Sequence, residues 1–108
     1  MRRGEVWWAE LPEPAGRRPV VLVSRDEAYL VRESVTVAEV TTRARGIRSE
    51  VSLGKSEGLP RNSVVNTDNL QTLRKSRLLS RAGWLGPQKV KALDRALAYA
   101  LKLPLADE

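Results

Sequence analysis

Apolar positions along this chain fall in short runs cut by proline, glycine and charge, and only the last long stretch repeats at helical spacing. Residues 4–11, GEVWWAEL, are rich in Val and Trp and stop at Pro12 and Pro14, which predicts a first strand. Trp7 and Trp8 are neighbours, so a strand sends them to opposite faces. One enters the core; the other needs a second surface, such as a subunit interface. Residues 12–18, PEPAGRR, read as a loop, and Pro19 presets a second strand over Val20–Ser24. The polar stretch 24–34, SRDEAYLVRES, predicts a loop or a short turn of helix. Ser34–Thr42 is the clearest strand, with Val35, Val37 and the pair Ala38 and Val40.

A basic loop, RARGIRSE, follows, and EVSL at 50–53 gives a short fourth strand. Gly54, Gly58 and Pro60 punctuate a turn over 54–62, and SVVN at 63–66 is a short fifth strand. Asn66, Thr67 and Asp68 then suit the cap of a brief helical turn. Residues 78–86, LLSRAGWLG, return to the sheet. The final segment is the helix of the chain: Gly86-Pro87 starts it, Val90, Leu93, Leu97, Ala100 and Leu101 form its apolar stripe, and Pro104 ends it. A frayed tail, Ala106–Glu108, closes the sequence. Short strands followed by a terminal helix predict a mainly β fold, a small and strongly bent sheet or barrel, in one domain spanning 1–108.

Charge narrows the function. Nineteen basic against thirteen acidic residues give +6, a balance that suits polyanionic or acidic partners. The chain has no histidine and no cysteine, which excludes a Ser-His-Asp triad, thiolate chemistry and a thiolate metal site. Zinc has no ligands of its usual kind, leaving carboxylate-bound magnesium as the one metal still readily imagined. The expectation is therefore no metal and no cofactor. No glycine-rich phosphate loop of the P-loop or dinucleotide type is present. No apolar signal segment follows Met1-Arg2-Arg3-Gly4 and no run reaches the length of a membrane span, so the expected setting is cytoplasmic, away from membranes.

The polar residues that no core explains form three groups. Arg17 and Arg18 stand where the loop meets the second strand. Thr41 and Thr42 stand where the third strand leaves the sheet, just before Arg43, Arg45 and Arg48. Arg74, Lys75 and Arg77 follow the capped turn. Each alone reads as a solvated turn, an ordinary strand end or a loop kept soluble by charge. If strands two and three are antiparallel neighbours, Arg18 and Thr41 share one rim of the sheet. Joint placement there points to a phosphate-binding groove, because guanidinium forks match phosphate oxygens in a bidentate way.

With these residues assembled, the chain resembles the MazF/PemK family of toxin endoribonucleases. RGEVWWAEL resembles that family's opening strand, and GRRPVVLVS its second. TVAEVTT is similar to the strand that ends in the family's threonine, and SVVNTDNLQTLRKSRL to the stretch that follows. Four such segments in order span nearly the whole chain. The resemblance implies an SH3-like, partly open β-barrel with a C-terminal helix, the toxin fold shared with gyrase poisons, usually as a homodimer. It also implies metal-independent, sequence-selective cleavage of single-stranded RNA. The family's arginine before proline maps to Arg18 and its threonine to Thr41, with Thr42 next in line.

What the resemblance implies for the chemistry is in-line attack of a ribose 2′-hydroxyl on the adjacent phosphorus. A 2′,3′-cyclic phosphate and a 5′-hydroxyl would result. Arg18 would stabilise charge developing on the phosphate and Thr41 would hydrogen-bond it. Guanidinium is a poor acid, with a pKa above about 12, so Arg18 is read first as an electrostatic stabiliser. Arg17, Thr42, Arg43, Arg45, Arg48, Gln71, Arg74, Lys75 and Arg77 are the candidate RNA contacts. The implied partner is an antitoxin whose acidic, disordered segment occupies the basic groove. Two departures from the family stand out: the loop before Arg18 is short, and Gln71 replaces a frequent Arg or Lys. Two rival functions share the fold, a gyrase-poisoning toxin and a non-catalytic RNA-binding barrel.

Overall fold

Every strand pairing in the computed structural model is antiparallel, and six strands join in one sheet that runs, edge to edge, through Glu50–Leu53, Ser63–Arg74, Ser34–Thr41, Arg17–Leu22, Glu5–Glu10 and Leu78–Trp84. The strands are β1 (Glu5–Glu10), β2 (Arg17–Leu22), β3 (Ser34–Thr41), β4 (Glu50–Leu53), β5 (Ser63–Arg74) and β6 (Leu78–Trp84). A four-residue helix, α1 (Ala28–Val31), sits between β2 and β3, and the long helix α2 (Gly86–Leu101) follows β6. The structure describes residues 1–105; the tail expected to fray, 106–108, lies outside them. The sheet curls into the half-open barrel that the sequence predicts, with α2 against it. Among the described residues, no helix is long and apolar enough to cross a membrane.

Alternation along the strands feeds two cores, one on each face of the sheet. Val6, Val21, Ala38, Val40, Val51 and Val65 pack with Leu93, Ala96 and Leu97 of α2. Ala9, Leu11, Val20, Leu22, Val35 and Val37 pack with Ala28 and Tyr29 of α1. The tryptophans divide as predicted: Trp7 packs against the second core, and Trp8 turns to a cleft at the sheet's end. The helix departs from its predicted stripe at the far end. Leu93 and Leu97 are buried, but Leu101, the last residue of the helix, is half exposed.

Two expectations fail on strand boundaries. The second strand begins at Arg17, three residues early, because the β1–β2 hairpin pairs Glu10 with Arg17 and Ala9 with Arg18. The larger correction is β5. The cap Asn66-Thr67-Asp68 starts no helical turn; it forms a bulge in a twelve-residue strand. Glu39 pairs with Asn66 while Ala38 pairs with Leu70, so three residues are inserted at one step of the ladder. An odd insertion flips the alternation. Val65 therefore faces the α2 core and Leu73 the α1 core, although both are odd-numbered. The bulge is held from within: the buried Thr67 hydroxyl lies 2.7 Å from the Ser49 carbonyl and 3.1 Å from the Ala96 carbonyl of α2. Asn66 Oδ1 accepts the Asp68 amide at 2.9 Å.

Two further contacts fix the frame around the sheet's end. Glu5, nearly buried, accepts from Trp7 Nε1 (3.0 Å), the Arg2 amide (3.1 Å) and Arg81 Nε (3.0 Å), tying β1 to β6. Burial alone pushes its carboxyl up; the Trp7 and Arg2 hydrogen bonds, with the amino-terminal and Arg81 charges, outweigh that and hold it below its ordinary value. Where the two edges of the sheet approach, the 3₁₀ turn Lys55–Glu57 after β4 crosses β6 backbone to backbone. A Cβ on Gly58 would strike the Ala82 carbonyl, and one on Gly83 would strike the Glu57 carbonyl. Gly58 also has φ +86°, so it serves both the turn and the crossing.

Candidate active site

The cleft receives its arginine from the hairpin. Leu11 N donates to Gly16 O (2.8 Å) and Ala15 N to Pro12 O (3.1 Å), with Gly16 at φ +65°, so the short loop closes on itself. No residue of 12–16 lines the cleft. Arg18 follows on β2, its Nε 3.3 Å from the Ala15 carbonyl, leaving the guanidinium nitrogens at its tip for a ligand. β2 and β3 pair through Val20–Glu39, Val21–Ala38 and Leu22–Val37. Two further steps of that register set Arg18 opposite Thr41, the last residue of β3. Thr41 Oγ1 accepts the Arg43 amide at 3.1 Å, which orients the hydroxyl and leaves its proton to donate.

Arg18 and Thr41 line a single cleft of about 660 Å³ with Trp8, Pro19, Val40, Thr42 and Arg43. Its far wall is Leu59-Pro60-Arg61, from the loop between β4 and β5, with Ser63, the first residue of β5. Three arginines and no carboxylate line it, so its electrostatics favour an anion without internal competition. Arg17 stays at the edge, its guanidinium 5.7 Å from the Trp8 ring centroid. Among the described residues, no cluster of three or more acidic, His or Cys groups is placed to hold a metal.

The remaining RNA-contact candidates lie elsewhere. The Arg45 and Gly46 amides each lie 3.0 Å from Glu50 Oε1, which shapes the loop, while the Arg45 side chain is exposed. Arg48 stacks over Tyr99 at 4.6 Å, in a groove between β4 and α2. Gln71 donates to Glu39 Oε2 at 2.7 Å on the sheet. Arg74 pairs in register with Ser34, the first residue of β3, whereas Thr41 is the last. Seven strand steps, roughly 23 Å, separate those ends. There Arg74 lies 3.9 Å from Glu33, Lys75 Nζ donates to the Tyr29 carbonyl (2.9 Å), and Arg77 is exposed.

Sequence reasoning passed over Arg61 and Trp8 as members of this site. Arg61 was hidden in a stretch that reads as a turn, although Pro60-Arg61 sets charge beside proline much as Arg18-Pro19 does. Trp8 carried its own signal, a second aromatic that one core could not absorb.

Comparison with known proteins gives this geometry a family. The profile described as "PemK-like, MazF-like toxin of type II toxin-antitoxin system" matches residues 2–101. The chain belongs to the PemK/MazF toxin family. Within it, the chain is 43% identical over 100 residues to "Probable endoribonuclease MazF5" of Mycobacterium tuberculosis, covering 92% of this chain and 91% of that one. It is 33% identical to "Endoribonuclease MazF" of Staphylococcus saprophyticus, covering 95% and 92%. Among solved structures, "Mycobacterium tuberculosis toxin MazF-mt6" superposes with a TM-score of 0.87 at 33% identity, covering 94% and 99%. A mycobacterial "Endoribonuclease in complex with its cognate antitoxin" superposes with a TM-score of 0.86 at 31% identity, covering 97% and 98%.

Proposed function

We propose that this chain is the toxin of a type II toxin–antitoxin pair and acts as an endoribonuclease on single-stranded RNA without a metal. The observation that carries the reading is the meeting of Arg18 and Thr41 in one carboxylate-free cleft, in a chain of this family. In the reaction the ribose O2′ bonds to phosphorus as the P–O5′ bond breaks. The 2′-hydroxyl proton passes to water, and the departing 5′-oxygen takes one up, leaving a 2′,3′-cyclic phosphate and a 5′-hydroxyl. Negative charge grows on the non-bridging oxygens, where the Arg18 guanidinium and the Thr41 hydroxyl donate. One preorganised donor of this kind contributes roughly 10²–10³ in rate.

Trp8 offers an aromatic face of the kind that unstacked RNA bases occupy, and Arg43 and Arg61 supply charge for the flanking phosphates. The same cleft suits an acidic, disordered segment of a cognate antitoxin, which would compete with RNA for it. The chain would act as a homodimer. A gyrase-binding role needs neither Arg18 nor Thr41 in a cleft, so nothing here favours it. The test is incubation of purified protein with long unstructured RNA in EDTA, followed by mapping of fragment ends. Defined cuts with cyclic-phosphate and 5′-hydroxyl ends, lost in Arg18→Ala and weakened in Thr41→Val, are expected. Well-folded protein that leaves diverse RNAs intact would sink the reading.

A further inference from the structure

The cleft does not end at Ser63. A second groove of about 590 Å³ adjoins it, and Thr42 and Ser63 line both. It follows the edge strand β4 and the loop after it, past Ser52, Lys55 and Asn62. The carboxylate on its wall, Glu57, is buried and engaged, accepting from the Gly54 amide at 2.7 Å and from Lys89 at 3.1 Å. Lys55 is exposed and has no carboxylate partner among the described residues.

Asn62 is the one carboxamide lining this groove among the described residues, and the fold leaves it unused. Its side chain makes no hydrogen bond among the described residues, and it is exposed. Its Oδ1 lies over Gly54, where an added Cβ would come within 3.2 Å. Glycine thus gives the amide its place. A free carboxamide presents an acceptor and two donors side by side, the pattern that pairs with the edge of a nucleotide base. The volume is within the range of small-ligand sites, about 300–1,000 Å³.

We infer that this groove is a base-reading subsite continuous with the cleft, in which Asn62 hydrogen-bonds the edge of a base flanking the scissile phosphate and Lys55 meets the next phosphate. The inference rests on the ribonuclease reading and adds the residue that sets which RNA is cut. Single-stranded RNA is recognised in this manner, by splayed bases read on their edges while basic groups track the backbone.

The experiment measures cleavage of RNAs identical except at each base flanking the cut. Wild-type protein discriminates at a flanking position, and Asn62→Ala lowers that discrimination about fivefold or more. Asn62→Asp keeps the shape but only accepts, so preference turns toward bases whose edge donates, guanine first through its adjacent N1–H and N2–H groups. Wild type without a flanking preference, or an Asn62→Ala cut profile superimposable on wild type, overturns the subsite and leaves the ribonuclease reading standing. A parallel measurement uses 2′-O-methyl oligonucleotides, which lack the attacking hydroxyl. Base-dependent affinity lost in Asn62→Ala supports the subsite even if no RNA is cut, an outcome that removes only the cleavage reading. Equal wild-type affinity for every flanking base overturns the subsite.

Discussion

The two ends of β3 carry basic clusters that look alike in sequence and differ in what holds them. At the Thr41 end, Arg18, Arg43 and Arg61 face one cleft with no carboxylate on its wall. At the Ser34 end, Lys75 is bonded to the Tyr29 carbonyl and its amide to the Glu33 carbonyl, while Arg74 approaches the Glu33 carboxylate. One cluster gathers its charge on a single cleft; in the other Lys75 is built into the framework while Arg74 and Arg77 stay exposed, with no shared cleft among the described residues. A count of arginines and lysines cannot tell them apart. The difference lies in the acceptors that the chain brings to each.

That contrast is open to direct attack. Its largest expected effect is on Arg18→Ala, which lowers the cleavage rate by roughly 10²–10³, while Arg74→Ala and Arg77→Ala stay within about twofold, as exposed substitutions do. A comparable loss in Arg74→Ala would abolish the distinction. The reverse asymmetry belongs to stability. Lys75→Ala removes a charged hydrogen bond to a backbone carbonyl and lowers stability by about 1 kcal/mol, or roughly 5 °C in Tm. Arg43→Ala, in the cleft, should leave thermal unfolding unchanged.

The third effect is alkaline. Burial and the nearby Asp26 charge push the Tyr29 hydroxyl up to about 12, from an ordinary 10.0. The folded chain keeps that proton where the unfolded chain has already released it. Its contribution is therefore complete below pH 10.0 and is lost as pH rises toward 12. Tyr29→Phe should flatten the alkaline decline in denaturant-measured stability by on the order of 1 kcal/mol near the middle of that window. An unchanged decline would show that the hydroxyl is not shielded at this end. The smallest effect is electrostatic. Arg61→Ala should reduce the slope of log affinity against log salt for single-stranded RNA by about 0.7, whereas Arg77→Ala should leave it alone.

Local pattern made much of this architecture legible. Strand alternation and the Gly86-Pro87 start located most elements, and Arg18-Pro19 with Thr41 marked the two strand ends that meet. The rest depended on pairing across the chain. Asn66-Thr67-Asp68 has the chemistry of a helix cap and serves instead to hold a bulge, because Thr67 finds acceptors in Ser49 and Ala96, both distant in sequence. Leu73 falls in the opposite core from Val65 for the same reason, since no local count reveals three inserted residues. The Arg74-Lys75-Arg77 cluster looked equivalent to the others until the register of β3 with β5 put it at the far end. Arg61 joined the cleft through loop placement, which propensity does not encode.

The crossing of Gly58 and Gly83 has a mechanical consequence. Leu59-Pro60-Arg61, the cleft's far wall, begins one residue beyond the point where the turn rests on β6. That point behaves as a fulcrum, with the barrel seam on one side and the arginine on the other. A methyl group added at either glycine must lift the turn away from β6, and the wall pivots with it. Lesions at this seam, where the turn after β4 meets β6, would thus register as misplacement of Arg61, so the gap between the cleft's two walls is gauged by how closely two backbones can touch.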